Sequence, residues 1–359
     1  MRHLRRGLYL LSATFFFTAC MDQPQSADPD TETNSTNTPS AVDNWHVETI
    51  AENLQAPWAV AFYDETPIVS ERDTSRILEI TDDGGVRELT VIEQTAESTE
   101  GGLLGLAVHE DSLYAYLTTA EDNRIQRYEL NSDAEGLELR DPEVIFDGIP
   151  AASHHNGGRL AFGPDGLLYV STGDGLEPST AQDLDSLAGK ILRLNPEGDI
   201  PADNPFDDSP VFSYGHRNVQ GVAWAPDGTM YASEFGEDTW DELNIIAPGG
   251  NYGWPRAEGI SGDESFVDPI QQWSPSEASP SGIAIADEHI YMTALRGQQL
   301  WDIPLDDPGT SVPHFSDDYG RLRDVITGPD GALWLLTNNT DGRGDPATTD
   351  DRLLRLTRD

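Results

Sequence analysis

The sequence predicts an all-β fold, a six-bladed β-propeller of four-stranded antiparallel blades. Two observations carry this. Six segments repeat one plan of apolar alternation, tight turn and second apolar alternation, and they recur every 40 to 60 residues or so, with no long helical period between them. They are PWAVAFYDETPIVSE from Pro57, LLGLAVHEDSLYAYLT from Leu103, RLAFGPDGLLYVSTGD from Arg159, GVAWAPDGTMYASEFG from Gly221, SGIAIADEHIYMTAL from Ser281 and RDVITGPDGALWLLTN from Arg323. Further strands such as KILRLN and LLRLT complete the blades. A β-sandwich would leave the recurrent hairpin unexplained.

In chain order, the first element is a processing signal. Arg2, Arg5 and Arg6 precede GLYLLSATFFFTA, an apolar run too short for a bilayer core of about 30 Å. The run ends at Cys20, the only cysteine, in the context FTAC. This resembles a bacterial lipoprotein signal, with residues 1–19 removed and Cys20 carrying lipid; an ordinary secretory signal is the alternative. Either way the chain is exported, to the periplasm or the outer surface, and a single cysteine forms no internal disulfide. Residues 20–43 are rich in Pro, Ser, Thr and Asp without apolar period, as in a flexible tether. Residues 44–359 form the propeller domain.

The 359 residues carry 64 acids against 21 bases, a formal charge of −43. Such a chain does not bind nucleic acid, and it meets a membrane only through its N-terminal lipid. Lys190 is the only lysine, so nearly all positive charge is arginine. With the acid excess, this reads as a surface adapted to high salt.

Propeller geometry gathers distant residues. The first strand of each blade lines the central channel, so residues just before first strands and just after second strands surround one mouth. Glu100, His154, His155, Arg217, Asn218 and Arg321 precede first strands, with Arg323 at the head of one; Asp174, the loop EFGEDTWDE and Arg296 follow second strands. His155 and Asp174 thus meet although 19 positions apart. A histidine whose tautomer is set by a carboxylate is the arrangement of a general base. Arginines clustered beside it, in an arginine-poor and acid-rich chain, imply an anionic ligand. The loop Glu234 to Glu242 holds five carboxylates in nine residues, a source of oxygen ligands for calcium, although it lacks the EF-hand pattern.

Several segments together resemble the glucose/sorbosone dehydrogenase family, soluble aldose dehydrogenases that use pyrroloquinoline quinone (PQQ) on a six-bladed propeller. In family order they are GGLLGLAVH, HHNGGRLAFGPDGLLYVSTGD, AQDLDSLAGKILRLNPEGDIPADNPF, YGHRNVQGVAW, DELNIIAPGGNYGWP, ALRGQQLW and GRLRDVITGPDGALWLLT. The resemblance implies oxidation of an aldose at its anomeric carbon to the lactone. It implies His155 as general base, Asp174 as its orienting carboxylate, and Arg217 with Asn218 at the quinone oxygens. Arg296, Arg321 and Arg323 match the cationic positions that hold the PQQ carboxylates, and the main-chain carbonyls of Gly236 and Glu237 match calcium ligands. Glu100 stands where better-known members carry a glutamine that touches the cofactor. The chain lacks their long insertions, as in compact members, and is expected to be a monomer. Its physiological electron acceptor, a quinone, a cytochrome or a dye in the assay, is not specified.

Two other functions fit a propeller. One is a calcium-dependent lactonase, which needs side-chain oxygens along the channel axis; the other is a non-catalytic extracellular binding propeller. The charge makes its own forecast: screening length falls from about 10 Å at 0.1 M salt to about 3 Å at 1 M, so carboxylate repulsion on the surface fades with added salt. The melting temperature of the apoprotein is expected to climb from 0.1 M to beyond 1 M sodium chloride, while the apparent affinity for PQQ declines. A flat or falling melting temperature removes the high-salt reading.

Overall fold

The computed structural model describes residues 45–358 apart from 97 and 135; the signal, Cys20 and the 20–43 tether lie outside the described residues. Six four-stranded antiparallel sheets are arranged as blades. Blade 1 comprises Pro57–Tyr63, Thr66–Glu71, Arg76–Ile80 and Val86–Val91, and blade 2 Leu103–His109, Ser112–Thr118, Asn123–Asp133 and Gly136–Ile149. Blade 3 comprises Leu160–Phe162, Leu168–Ser171, Lys190–Leu194 and Val211–Tyr214; blade 4, Val219–Trp224, Met230–Glu234, Asp241–Ile246 and Gln271–Trp273. Blade 5 comprises Pro280–Ala286, His289–Ala294, Gln299–Pro304 and Val312–His314. Blade 6 takes three strands from the end of the described chain, Leu322–Thr327, Leu333–Thr337 and Leu353–Arg358, and its fourth from the beginning, Trp45–Ala51. The only helix among the described residues is one 3-10 turn, Pro178–Gln182.

The repeat read from the sequence is the repeat of the fold: each of the six segments begins within two residues of a first strand. The closure of blade 6 was not legible there. Trp45–Ala51 pairs antiparallel with Leu353–Arg358, from Trp45 opposite Arg358 onward, which ties the two ends of the propeller together.

Two devices at the heads of the first strands shape the channel. The first is a β-bulge. Between first and second strands the register slips by one residue at Trp58, at Gln220 and at Arg323, and again within Leu103–Leu106 and Pro280–Ile283. A bulge places an extra residue out of the ladder and re-aims its side chain, and Trp58, Gln220 and Arg323 all line the same small cavity beneath the mouth. The second device joins neighbouring blades. Second-strand hydroxyls donate to first-strand carbonyls of the next blade: Ser70 to Leu104 at 2.6 Å, Ser233 to Ser281 at 2.5 Å and Thr293 to Arg323 at 3.2 Å.

At the far end the channel is apolar, lined by Phe62, Phe162, Trp224, Ile285 and Ile326 among others. Between the two ends lies a buried ion pair, Arg159 to Asp324 at 2.9 Å, with the Arg159 guanidinium 4.5 Å from the centre of the Trp58 ring. The blades approach closely here. A Cβ on Gly105 would sit 2.1 Å from the Gly158 carbonyl oxygen of the next blade, so only glycine fits. Gly105→Ala is therefore expected to lower stability by about 1–3 kcal/mol, the usual cost of overpacking a rigid interior, read as a lower denaturation midpoint with PQQ absent. An unchanged midpoint would show that the blades can part without cost.

Candidate active site

The loop before blade 3 carries His155 and is held from several sides. His155 has a left-handed backbone, φ 59°, uncommon for a side chain of its size. Its N–H donates to Glu100 Oε2 at 3.1 Å and its carbonyl accepts from Gly175 N–H at 3.2 Å. Gly173 permits this, because a Cβ there would lie 1.8 Å from the His155 carbonyl oxygen. The next residue, Asn156, is locked by Tyr116 Oη–H at 2.9 Å and Asn123 Nδ2–H at 3.1 Å.

Across the hairpin, His155 Nδ1 lies 2.7 Å from Asp174 Oδ1. Asp174 is buried and also accepts from Trp254 Nε1–H at 2.8 Å and Leu176 N–H at 3.0 Å. Burial alone would raise the Asp174 carboxyl, yet the hydrogen bonds from His155, Trp254 and Leu176 hold it below its ordinary value. An ionised carboxylate only accepts, so in the neutral ring Nδ1 carries the proton and Nε2 the lone pair. His154 differs: its Nδ1 meets Ser153 Oγ at 3.0 Å and no carboxylate.

Arginines stand at the heads of the first strands of blades 4 and 6. Arg217 N–H donates to Glu234, its guanidinium lies 5.4 Å from the centre of the Trp254 ring, and its buried Nε has no hydrogen-bond partner. Asn218 is buried, and its Oδ1 accepts from Gly157 N–H at 3.0 Å. Arg321 pairs with Asp341 at 3.0 Å, and its buried Nε also lacks a partner. Arg323, buried, touches only neutral groups: Gln220 at 3.1 Å, Ser281 at 3.3 Å and Asn338 at 3.4 Å. Burial pushes its guanidinium down to about 9 against the pull of Asp341. Buried N–H groups without acceptors, beside a cation with only neutral partners, suit an anion with several carboxylates.

Arg296 differs from them in its exposure. It is exposed at the end of the second strand of blade 5 and makes no hydrogen bond or ion pair within the described residues. Glu100 spans two neighbours, taking the His155 N–H on one oxygen and Arg343 Nη2 at 2.8 Å on the other. Four residues absent from the sequence reading belong here: Trp58, Arg72, Gln220 and Arg343 line the same small cavity as Glu100 and Arg323. Arg72 follows a second strand, as Asp174 does, so the same positional rule finds it. Trp254 lies in the long excursion between the third and fourth strands of blade 4, with no period to mark it.

The acidic loop is fastened by carboxylates that accept its N–H groups. Glu258 Oε1 accepts from Glu237 at 2.7 Å and from Thr239 and Trp240 at 3.1 Å, while Asp241 Oδ1 accepts from Gly236 at 3.0 Å. No donor among the described residues reaches the carbonyl oxygens of Gly236 and Glu237. No group of three or more His, Cys, Asp or Glu side chains there is set to hold a metal, so a cation would rest on main-chain carbonyls. Burial pushes Glu242 up to about 8, reinforced by Glu234, and Asp241 up to about 6. Both folded values exceed the unfolded ones, so between about pH 4.5 and 8 the fold keeps protons that the unfolded chain has released, and stability falls as pH rises. In chelator, the melting temperature is expected to decline from pH 5 to 8 and Glu242→Gln to flatten the decline. A flat wild-type profile would contradict this.

Known proteins share this architecture. A solved aldose sugar dehydrogenase from Streptomyces coelicolor, in its PQQ-bound form, superposes with a TM-score of 0.83 at 46% identity, covering 88% of this chain and 98% of that one. The aldose sugar dehydrogenase YliI of Escherichia coli is 30% identical over 83% of this chain and 91% of its own length. Quinoprotein glucose dehydrogenase B of Acinetobacter calcoaceticus is 32% identical over 74% of this chain, which spans 63% of that relative. With the family pattern matched across residues 54–355, the chain belongs to the glucose/sorbosone dehydrogenase family.

Proposed function

We propose that this chain is a PQQ-dependent aldose dehydrogenase that oxidises the anomeric carbon of a sugar to the lactone, with His155 as general base. The observation that carries the reading is the His155–Asp174 pair, 2.7 Å apart with Nε2 free, beside buried guanidinium N–H groups without acceptors. Similarity to the PQQ-bound enzyme of Streptomyces coelicolor supports the cofactor.

His155 Nε2 accepts the proton of the anomeric hydroxyl as the C1–O bond gains double-bond character. The resulting imidazolium is stabilised by Asp174, which stays anionic because its hydrogen bonds hold its carboxyl low. Arg321 and Arg323 would hold the PQQ carboxylates, with Arg296 at the rim; Arg217 and Asn218 would lie at its quinone oxygens. When bound, PQQ would supply the two-electron acceptor for the hydrogen leaving C1, which no side chain of this protein can provide. Calcium, held by the carbonyls of Gly236 and Glu237, would supply Lewis acidity beside Arg217.

A lactonase would need side-chain oxygens left free along the axis, where Asp324 is instead paired with Arg159 and Gln220 Oε1 accepts from Arg323. The reading as an exported, lipid-anchored monomer on a salt-adapted surface is part of the same proposal. It rests on the FTAC context and the charge of −43.

Apoprotein is expected to be inactive, with PQQ plus calcium restoring dye reduction by an aldose; activity without quinone would refute the assignment. In the reconstituted enzyme, His155→Ala should lower kcat by about 10²- to 10⁴-fold, the scale of a lost general base, with PQQ binding retained. His154→Ala should do far less. Equal effects of the two would remove His155 from its role.

A further inference from the structure

The chain places 20 arginines and a single lysine, and that lysine is wholly buried. Lys190 opens the third strand of blade 3. Its Nζ donates to three main-chain carbonyls, Ala188 at 2.5 Å, Thr180 at 2.8 Å and Ala181 at 3.2 Å. No carboxylate pairs with it; Asp183 acts only through space. An unpaired charge in such a place is costly unless dipoles replace its water. Three carbonyls converging on one point suit an ammonium, a compact charge with three donors, whereas the planar fork of an arginine cannot aim three N–H groups at one centre. The one lysine therefore stands where arginine would not serve.

The carbonyls it gathers belong to the loop that begins with the Asp174 segment. Thr172 and Lys190 bond to one another across its base, and Gly189 N–H donates to Gly173 O at 2.8 Å. Next to Ala181, Gln182 Nε2 donates to the Trp254 carbonyl at 2.7 Å, and Trp254 Nε1 donates to Asp174. A second path runs along the loop, from Thr180 N–H to Glu177 O at 2.9 Å and from Glu177 N–H to Asp174 O at 3.0 Å.

We propose that Lys190 is a positioning residue for sugar oxidation: its ammonium, caged by three carbonyls, holds the loop and Trp254 in the arrangement that orients Asp174 and, through it, His155. This rests on the dehydrogenase reading. Burial pushes Lys190 down to about 8, opposed by Asp183. Other titratable groups nearby are Tyr214, paired with Lys190 across the strands, and His216, whose N–H donates to Gly189 O. Above that pH the amine loses its charge and one of its three donors. Because the folded value lies below the ordinary one, the fold then sheds a proton that the unfolded chain still holds, so this group does not lower stability as pH rises. Positioning and stability therefore part company in that window.

The single lysine makes the test direct. Full-length apoprotein grown on lysine labelled with 13C at Cε gives one side-chain signal, and the Trp254 indole N–H signal is identified by its loss in Trp254→Phe. Both are expected to move with one midpoint near 8, in a Glu242→Gln background that removes the carboxyl pushed up to about 8. In the PQQ-loaded enzyme, kcat should fall above the same midpoint with little change in sugar KM, and without a matching fall in melting temperature. Lys190→Met should lower kcat by about 10- to 100-fold, the scale of a slight misplacement, and abolish the alkaline loss; Lys190→Arg should not rescue it. A Trp254 signal indifferent to the lysine titration, or a folded Lys190→Met with full kcat, overturns the proposal. If Lys190→Met does not fold, the paired titration in the apoprotein decides alone. Absence of sugar oxidation in a protein whose two signals still move together would refute the dehydrogenase reading and leave the coupling standing.

Discussion

The extra residue at the head of the first strand is the constraint from which the site follows. Six strands converging on an axis leave little room, and regular pairing there would send alternate side chains into a neighbouring blade. The slip of one residue at Trp58, Gln220 and Arg323 turns those side chains toward the channel instead. Arg323 thus stands on the wall of the propeller, while Arg72, Arg217, Arg321 and Arg343 stand on the segments that flank the strands. Arg323 keeps its direction because Gln220, Ser281 and Asn338 hold it and Trp58 lies 5.6 Å beneath it. Ordering these groups costs little at the moment of binding, since folding has already restricted them.

Electrostatics explains why the wall is needed. A chain with a formal charge of −43 repels an anionic cofactor at long range. Attraction must then come from charges that salt and solvent screen weakly, which means buried ones. Arg323 and Arg321 are buried, and only Arg321 has a direct carboxylate partner. Beneath them Arg159 neutralises Asp324, so the carboxylate deepest in the channel does not cancel the field of the mouth.

Which parts of this could be read from the chain depends on how far apart in sequence the interacting parts lie. Alternation and hairpin turns are local, so the six blades and the meeting of His155 with Asp174 were legible. Closure by Trp45–Ala51 joins opposite ends of the propeller and leaves no local trace. Bulges are silent as well, because the apolar alternation continues on either side of Trp58 or Gln220. Arg72 directly follows its second strand and is buried, whereas Arg296 stands two residues past its own, in the place of exposed Asp73, and is exposed. Position after a strand names the mouth; it does not say which side chains turn inward.

Two supports of different kinds meet at Glu100. Arg323 stands on a strand, whereas His155 stands on a loop with a left-handed backbone, a conformation that persists only where its surroundings over-determine it. Glu100 supplies part of that determination through the His155 N–H, and its other oxygen holds Arg343 at the rim of the cation cluster. Burial would raise its carboxyl, but these two donors keep it low and therefore ionised. Both neighbours are donors, so both oxygens must accept. A glutamine would satisfy one of them and turn its own N–H₂ toward the other, leaving a clash of donors. The acid at this position is thus matched to Arg343. Through it the loop that holds the base and the cations that face the ligand share one carboxylate.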